Sequence, residues 1–210
     1  MRPAEEEEHW TTMKMTVFLG LVMTVVILLP LVELTSVTAE GQATYVSASK
    51  CKMCHNSKAE GEVWNAWKAT AHARALETLS GEQSLALAKE KGLTTPPSEA
   101  PECLRCHVTA FDPATGKPAP GLDVKDGVQC EACHGPASLH IEDGKRKKKG
   151  EEVDMSKNQT HPEVSDCVVC HNDQSPTWNP ERYTLKDGTK SGFDFEQAWE
   201  KIKHGPPAAS

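Results

Sequence analysis

Cys51-Lys-Met-Cys54-His55, Cys103-Leu-Arg-Cys106-His107, Cys130-Glu-Ala-Cys133-His134 and Cys167-Val-Val-Cys170-His171 account for all eight cysteines of this 210-residue chain. Two thiols separated by two residues and followed at once by an imidazole can do one of two things. Paired with a second such unit they can close on a zinc ion, as in a zinc ribbon. Alternatively they can add to the two vinyl groups of a haem as thioethers, with the histidine placed to bind the iron. A zinc ribbon does not need a histidine directly after the second cysteine, and all four pairs have one. The pattern therefore reads as four c-type haems (heme c), attached through Cys51 and Cys54, Cys103 and Cys106, Cys130 and Cys133, and Cys167 and Cys170. His55, His107, His134 and His171 are then the proximal iron ligands.

The histidine count points the same way. Of nine, four lie in the motifs, His9 precedes an apolar N-terminal run, and four remain: His72, His140, His161 and His204. Four six-coordinate irons need four distal ligands. Beyond residue 39 the only methionines are Met53 and Met155, and Met53 lies inside a motif on its own haem's attachment side. Methionine ligation raises the potential of a haem, so bis-histidine ligation implies a carrier of low to intermediate potential.

These side chains need helices and loops to position them. Apolar residues at Trp64, Trp67, Ala71, Ala75 and Leu79 recur at three- and four-residue steps, which predicts a helix over 60–79 with His72 beside its apolar stripe. A second helix is expected over 83–91, ended by Gly92. Residues 93–102 and 112–121 are proline-rich loops flanking the second motif. A third helix is expected over 194–204, with Phe195, Trp199 and Ile202 on one face and His204 in its last turn. Asp194 and Gln197 suggest a capping box there, and Gly205-Pro206 a stop. No convincing strand alternation follows residue 45. The motifs are 52, 27 and 37 residues apart, so no solenoid repeat exists. The expected fold is mainly α: one haem-packed domain over 40–210 with few helices and long loops.

Val17 to Val32 is an uncharged apolar run preceded by Lys14. As a helix its sixteen residues reach about 24 Å, short of the roughly 30 Å hydrocarbon core, and Pro30 weakens it. With Val37-Thr38-Ala39 after it, the segment 1–39 reads as an export signal cleaved after Ala39, with a retained N-terminal anchor as the alternative. The acidic Glu5–Glu8 stretch is wrong for a signal, whereas a start at Met13 gives Met-Lys-Met. Either way the protein is expected outside the cytoplasm, in the periplasm, with membrane association through residues 17–32 if they are retained. The formal charge is −7, and removing residues 1–39 takes away two basic and five acidic side chains, leaving −4. Ionised haem propionates add to that, so nucleic acid is not an expected partner and salt-sensitive docking to redox proteins is. The mature chain has few large apolar side chains, and the porphyrins must supply much of its buried apolar area. Against this acidic background, Lys145-Arg-Lys-Lys-Lys149 reads as a solvated loop, a docking loop for an acidic partner or anionic membrane, or a counter-charge for propionates.

Several segments resemble the tetrahaem cytochrome c family of the cytochrome c554 type. They are Trp67-Lys-Ala-Thr-Ala-His72-Ala-Arg-Ala; Gly127-Val-Gln-Cys130-Glu-Ala-Cys133-His134-Gly-Pro with His140 shortly after; and Cys167-Val-Val-Cys170-His171-Asn followed by Ser175-Pro176, Phe193-Asp-Phe195 and Trp199-Glu-Lys-Ile-Lys-His204. The likeness spans about residues 45–205. It implies a mainly helical fold with haems in stacked and edge-on pairs, and it implies that His140 serves the first haem, His72 the third and His204 the fourth. In the family's typical member the second haem lacks a distal protein ligand. His161, in the polar stretch KNQTHPEVSD, leaves two readings here: it binds the second iron, or that iron has an open site.

The leading functional expectation is an exported electron carrier working between a redox enzyme and a membrane or extracellular acceptor. Alternatives are a small-molecule (nitrogen oxide) reductase at an open second haem, and a haem-bearing subunit of a filament or respiratory complex. Neither a Cys-x-x-Cys-Lys motif nor a crosslinking context for Tyr183 marks a catalytic haem. Protein produced with a cytochrome c maturation system should carry four covalent haems, adding about 2.5 kDa in intact-mass measurement. A zinc-saturated, haem-free product would reject the haem assignment.

Overall fold

A Cys-x-x-Cys-His segment wound as a helix puts both sulfurs and the imidazole on one face, at positions i, i+3 and i+4. The computed structural model, which describes residues 41–204, places every motif on such a turn. Helix α1 (Ala48–His55) carries the first motif. The second lies at the end of α5 (Pro101–His107), which has proline at its first position, where a missing N–H costs nothing. A single turn, α6 (Glu131–His134), carries the third. Helix α8 (Val164–Val168) starts the fourth, and the Cys170 and His171 amides continue it by bonding to the Cys167 carbonyl at 3.2 and 2.9 Å. The 17–32 run, His9, the Ala39 cleavage site and the Gly205-Pro206 stop lie outside the described residues. Among the described residues no helix is long and apolar enough to cross a membrane.

The helix expected over 60–79 is broken into α2 (Val63–Lys68), a 3-10 turn at His72–Arg74 and α3 (Ala75–Thr78). Long-range hydrogen bonds account for the breaks. The Trp67 indole donates to the Val128 carbonyl at 3.0 Å, and the Val128 amide donates to the His72 carbonyl at 3.2 Å. Thr70 turns its hydroxyl back onto the Trp67 carbonyl at 2.8 Å, closing α2 locally. Entry into α2 is through Glu62 in the left-handed region, φ 51. Apolar spacing found the residues that turn inward, but not these competing partners.

The second expected helix is α4 (Glu82–Glu90). Within the expected loop 112–121 a minimal ribbon forms, β1 (Phe111–Asp112) against β2 (Lys117–Pro118). A second ribbon, β3 (Tyr183–Thr184) with β4 (Lys190–Ser191), was not expected either. Each strand has two residues, too few for side-chain alternation to be visible. The Lys145–Lys149 run is not a loop: it forms the last turn and cap of α7 (Ser138–Lys148), where cations favour the helix dipole. The third expected helix is α9 (Phe195–Ile202), and Asp194 caps it by accepting from the Gln197 amide at 2.9 Å. His204 lies two residues past its end, on extended backbone after Lys203, rather than in its last turn. The architecture is mainly α, as expected.

The polypeptide's own core is small. Ala48, Trp67 and Ala73 form its centre, with Trp64 and Cys130 packed against it. The largest fully buried side chain among the described residues is not apolar but Gln129, 1% exposed. Its Oε1 accepts from the Ala48 amide at 2.7 Å, and its Nε2 donates to the Asp123 carbonyl at 3.0 Å. Glu131, 2% exposed, accepts from the amides of Val46, Ser47 and Ala137 at 2.9–3.1 Å. Together these two side chains clamp the strand entering the first motif onto the third. A buried carboxylate that satisfies three backbone donors is costly to remove, because those donors lose their acceptor. Glu131→Ala should lower the stability of the haem-loaded protein by about 2–4 kcal/mol in guanidinium unfolding. Glu131→Gln, which keeps one acceptor oxygen, should cost less.

Candidate haem centres

Three pairs of imidazoles face each other across gaps of nearly constant width. The ring centres of His55 and His140 are 6.2 Å apart with planes inclined by 14°. Those of His72 and His171 are 6.0 Å apart at 73°, and those of His134 and His204 are 5.9 Å apart at 41°. A metal–imidazole bond is about 2 Å, and the bonding nitrogen sits about 1.1 Å from its ring centre, so two rings on one iron have centres about 6.2 Å apart. Each gap is therefore the width of one six-coordinate iron and too wide for direct ring contact. Zinc fits poorly: among the described residues no three His, Cys, Asp or Glu side chains converge on one point.

Several features fix the rings. Nδ1 of His107 lies 2.6 Å from the Ala75 carbonyl, and Nδ1 of His134 lies 3.0 Å from the Thr160 carbonyl. A carbonyl there requires a proton on Nδ1 and leaves Nε2 as the metal-binding nitrogen. His171 stacks on Phe193 with ring centres 5.4 Å apart, and Tyr183 meets Phe193 edge-on. Trp178 covers Gly192 so closely that no β-carbon fits beneath it. Nδ1 of His55 and of His140 is buried without any hydrogen-bond partner in the polypeptide. Two orphaned ring nitrogens beside one gap fit a site built around a further group. Burial pushes the pKa values of His55, His72 and His171 down, and the facing His140 and His72 rings add to this at His55 and His171 respectively. All three imidazoles are therefore neutral at pH 7, the metal-binding form.

The attachment sulfurs also pair between motifs. Cys51 and Cys130 lie close together, and that proximity holds the Cys51 thiol below its ordinary range and pushes Cys130 up. Cys106 and Cys170 make the same contact, pulling Cys106 down to about 6 and pushing Cys170 up. Arg105 reaches across to Gln174 at 2.8 Å beside the second contact. The first motif thus adjoins the third, and the second adjoins the fourth.

His140 faces His55 of the first motif. His72 faces His171 of the fourth motif, and His204 faces His134 of the third. The turn at 69–72 and the extended residue 203 carry the two rings there, and spacing along the chain encodes neither. Among the described residues no histidine ring faces His107. His161 is exposed, and the residue before it is anchored to the third motif, with the Thr160 amide donating to the His134 carbonyl at 3.1 Å. The structure therefore does not bring His161 to the second motif.

A family model described as cytochrome c554 and c-prime matches residues 50–135, which hold the first three motifs. Cytochrome c-554 of Nitrosomonas europaea is 30% identical over 183 residues, covering 77% of this chain and 74% of the relative. This chain belongs to the cytochrome c554 family. A solved structure of the reduced state of cytochrome c554 from Nitrosomonas europaea aligns with 77% of this chain and 79% of its own, at 24% identity and a TM-score of 0.44.

Membership in the cytochrome c554 family makes the chain a c-type cytochrome, a haem-carrying electron-transfer protein that works with redox partner proteins. The positioning residues Gln129, Glu131, Thr109 and Thr160 were not singled out by sequence reasoning, and Phe193 was named only within a family-like segment. For two of them a signal existed, since Gln129 and Glu131 flank Cys130 in a segment that otherwise buries itself. Gly127 is a third positioning element. It has φ +66, and a β-carbon there would lie 3.2 Å from the His72 carbonyl oxygen. Gly127→Ala should cost about 1–3 kcal/mol, read by thermal unfolding, and should perturb the haem served by His72 more than the others. An unchanged melting temperature and visible spectrum would show that the close approach to His72 is unimportant.

Proposed function

We propose that this cytochrome holds four c-type haems and passes single electrons between a redox enzyme and a membrane or extracellular acceptor, outside the cytoplasm. The observation that carries this reading is the set of three histidine pairs with ring centres 5.9–6.2 Å apart, each including one motif histidine. In each pair, His55 with His140, His134 with His204 and His171 with His72, both axial positions would be filled from the chain. Bound haem supplies a one-electron iron couple whose potential depends on its axial ligands. The chain's part is to hold each imidazole oriented, which Ala75, Thr160 and Phe193 do for the motif histidines of the second, third and fourth units. The Cys51/Cys130 and Cys106/Cys170 contacts bring attachment points of different haems together, which supports transfer within each pair. Export is supported by the Val17–Val32 run and the Ala39 site.

A second reading attaches to the second motif. His107 is fixed on one side by Ala75, and no histidine ring faces it among the described residues. That favours an exchangeable position there, which electron transfer does not need and chemistry on a nitrogen oxide does. Low-temperature electron paramagnetic resonance of the oxidised protein should count three low-spin irons and one high-spin iron. His72→Ala and His204→Ala should each convert one further iron to high spin, at the fourth and third motifs respectively, while His161→Ala should change nothing. Reduced protein should bind about one carbon monoxide per molecule. Four low-spin signals becoming three in His161→Ala would reject the open second site.

A further inference from the structure

The largest run of unpaired positive charge in this acidic protein lies against the first haem motif. At the end of α7, Lys145 is paired with Glu142 at 2.7 Å, and Arg146 with Asp143 at 3.3 Å and Glu151 at 2.8 Å. Among the described residues Lys147, Lys148 and Lys149 have no carboxylate within ion-pair distance. Lys148 instead crosses to α1, with its ammonium 3.4 Å from the sulfur of Cys54, itself exposed. An open cleft lies there between Lys148 and the end of α1, lined also by Lys52, Met53 and Cys54. Lys52 is held over the Trp64 ring at 5.4 Å, and Met53 is 66% exposed.

The helix dipole explains why cations are tolerated in the last turn of α7. It does not explain why three of them stay unpaired, nor why one of them reaches an attachment sulfur of another helix. A soft, exposed methionine flanked by Lys52 and Lys148, with the single carboxylate Glu60 in the same cleft, has the make-up of a transient docking face, with an adaptable apolar contact at the centre and steering charges at the rim. On a molecule of net negative charge, such a face attracts an acidic partner while the rest of the surface repels it.

We propose that Lys147, Lys148 and Lys149, with Lys52 and Met53, form the docking face for an acidic redox protein, which exchanges electrons through the Cys54 edge of the first haem. The proposal rests on haem attachment at Cys51 and Cys54. An acidic protein is favoured over an anionic membrane because a lipid surface gains nothing from alignment with an attachment sulfur.

The test uses the full holoprotein, with four haems first verified by intact mass, so that a failure of attachment is read separately. Reduced plant-type ferredoxin, a small acidic iron–sulfur protein, serves as the donor in stopped-flow reduction at varied salt. The Lys147→Gln/Lys148→Gln/Lys149→Gln variant should be reduced about five- to tenfold more slowly at low ionic strength, and the difference should vanish at about 0.5 M salt. Lys89→Gln/Lys91→Gln, at the end of α4, should stay within about twofold of the unmodified protein. Independently of electron transfer, redox-inert hexacyanochromate(III) should broaden the Met53 methyl resonance in the unmodified protein and not in the triple variant. Equal reduction rates for the triple variant and the unmodified protein would overturn the proposal. Lysine-dependent binding to phosphatidylglycerol vesicles without any effect on the ferredoxin rate would overturn it too, and would assign the patch to a membrane surface.

Discussion

Two imidazoles serve one iron only if their ring centres stand about 6 Å apart, and that spacing governs how this chain is folded. The facing pairs join residues 85, 99 and 70 positions apart in sequence, so each pair closes a long loop. Closing such loops costs chain entropy, which the contacts within the haem-free polypeptide are poorly equipped to offset. The apolar centre of Ala48, Trp67 and Ala73 is too small to do so alone. Covalent attachment and axial ligation at the loop ends would supply the missing free energy, much as a structural metal does in a small domain. On the proposed ligation, folding and haem loading would be one process.

The polar clamp follows from the same constraint. Where a larger protein would place leucines between two elements, this one places Gln129, Glu131 and Thr109. The Thr109 hydroxyl accepts from the Gln129 amide at 2.7 Å and donates to the Gly127 carbonyl at 3.2 Å. Hydrogen bonds are directional, and apolar contacts are not. A directional clamp suits an element whose task is to set the first and third motifs at one fixed spacing. Ser47, at the entry to α1, shows what the arrangement costs. It takes φ 70, which few residues other than glycine adopt, and its hydroxyl is tied to Asp126 at 2.7 Å.

The haem motifs and the helical class were legible in the sequence because each is a local pattern: fixed spacing or apolar period. The partners of His72 and His204 were not legible. They depend on a turn after Trp67 that is stabilised by Val128, some sixty residues away, and on one extended residue after α9. The ribbons were missed because two-residue strands carry no periodicity. The Lys145–Lys149 run looked like a solvated loop because charge repulsion argues against a helix. Pairing of Lys145 and Arg146 with Glu142, Asp143 and Glu151 relieves that repulsion, and those partners become neighbours only once α7 has formed.

Two kinds of order are superposed on this chain. Within it, the first motif adjoins the third and the second adjoins the fourth, and Cys133 of the third also lies near Cys167 of the fourth. His72 with His171 is one place where the two groupings meet. His72 hangs from the segment tied by Val128 to the third motif, while His171 belongs to the fourth. The helix break at 69–72 is thus more than an irregularity. It lets one carbonyl bind the strand leading into the third motif while the same residue's ring faces the fourth, which couples the placement of the two pairs through a single residue.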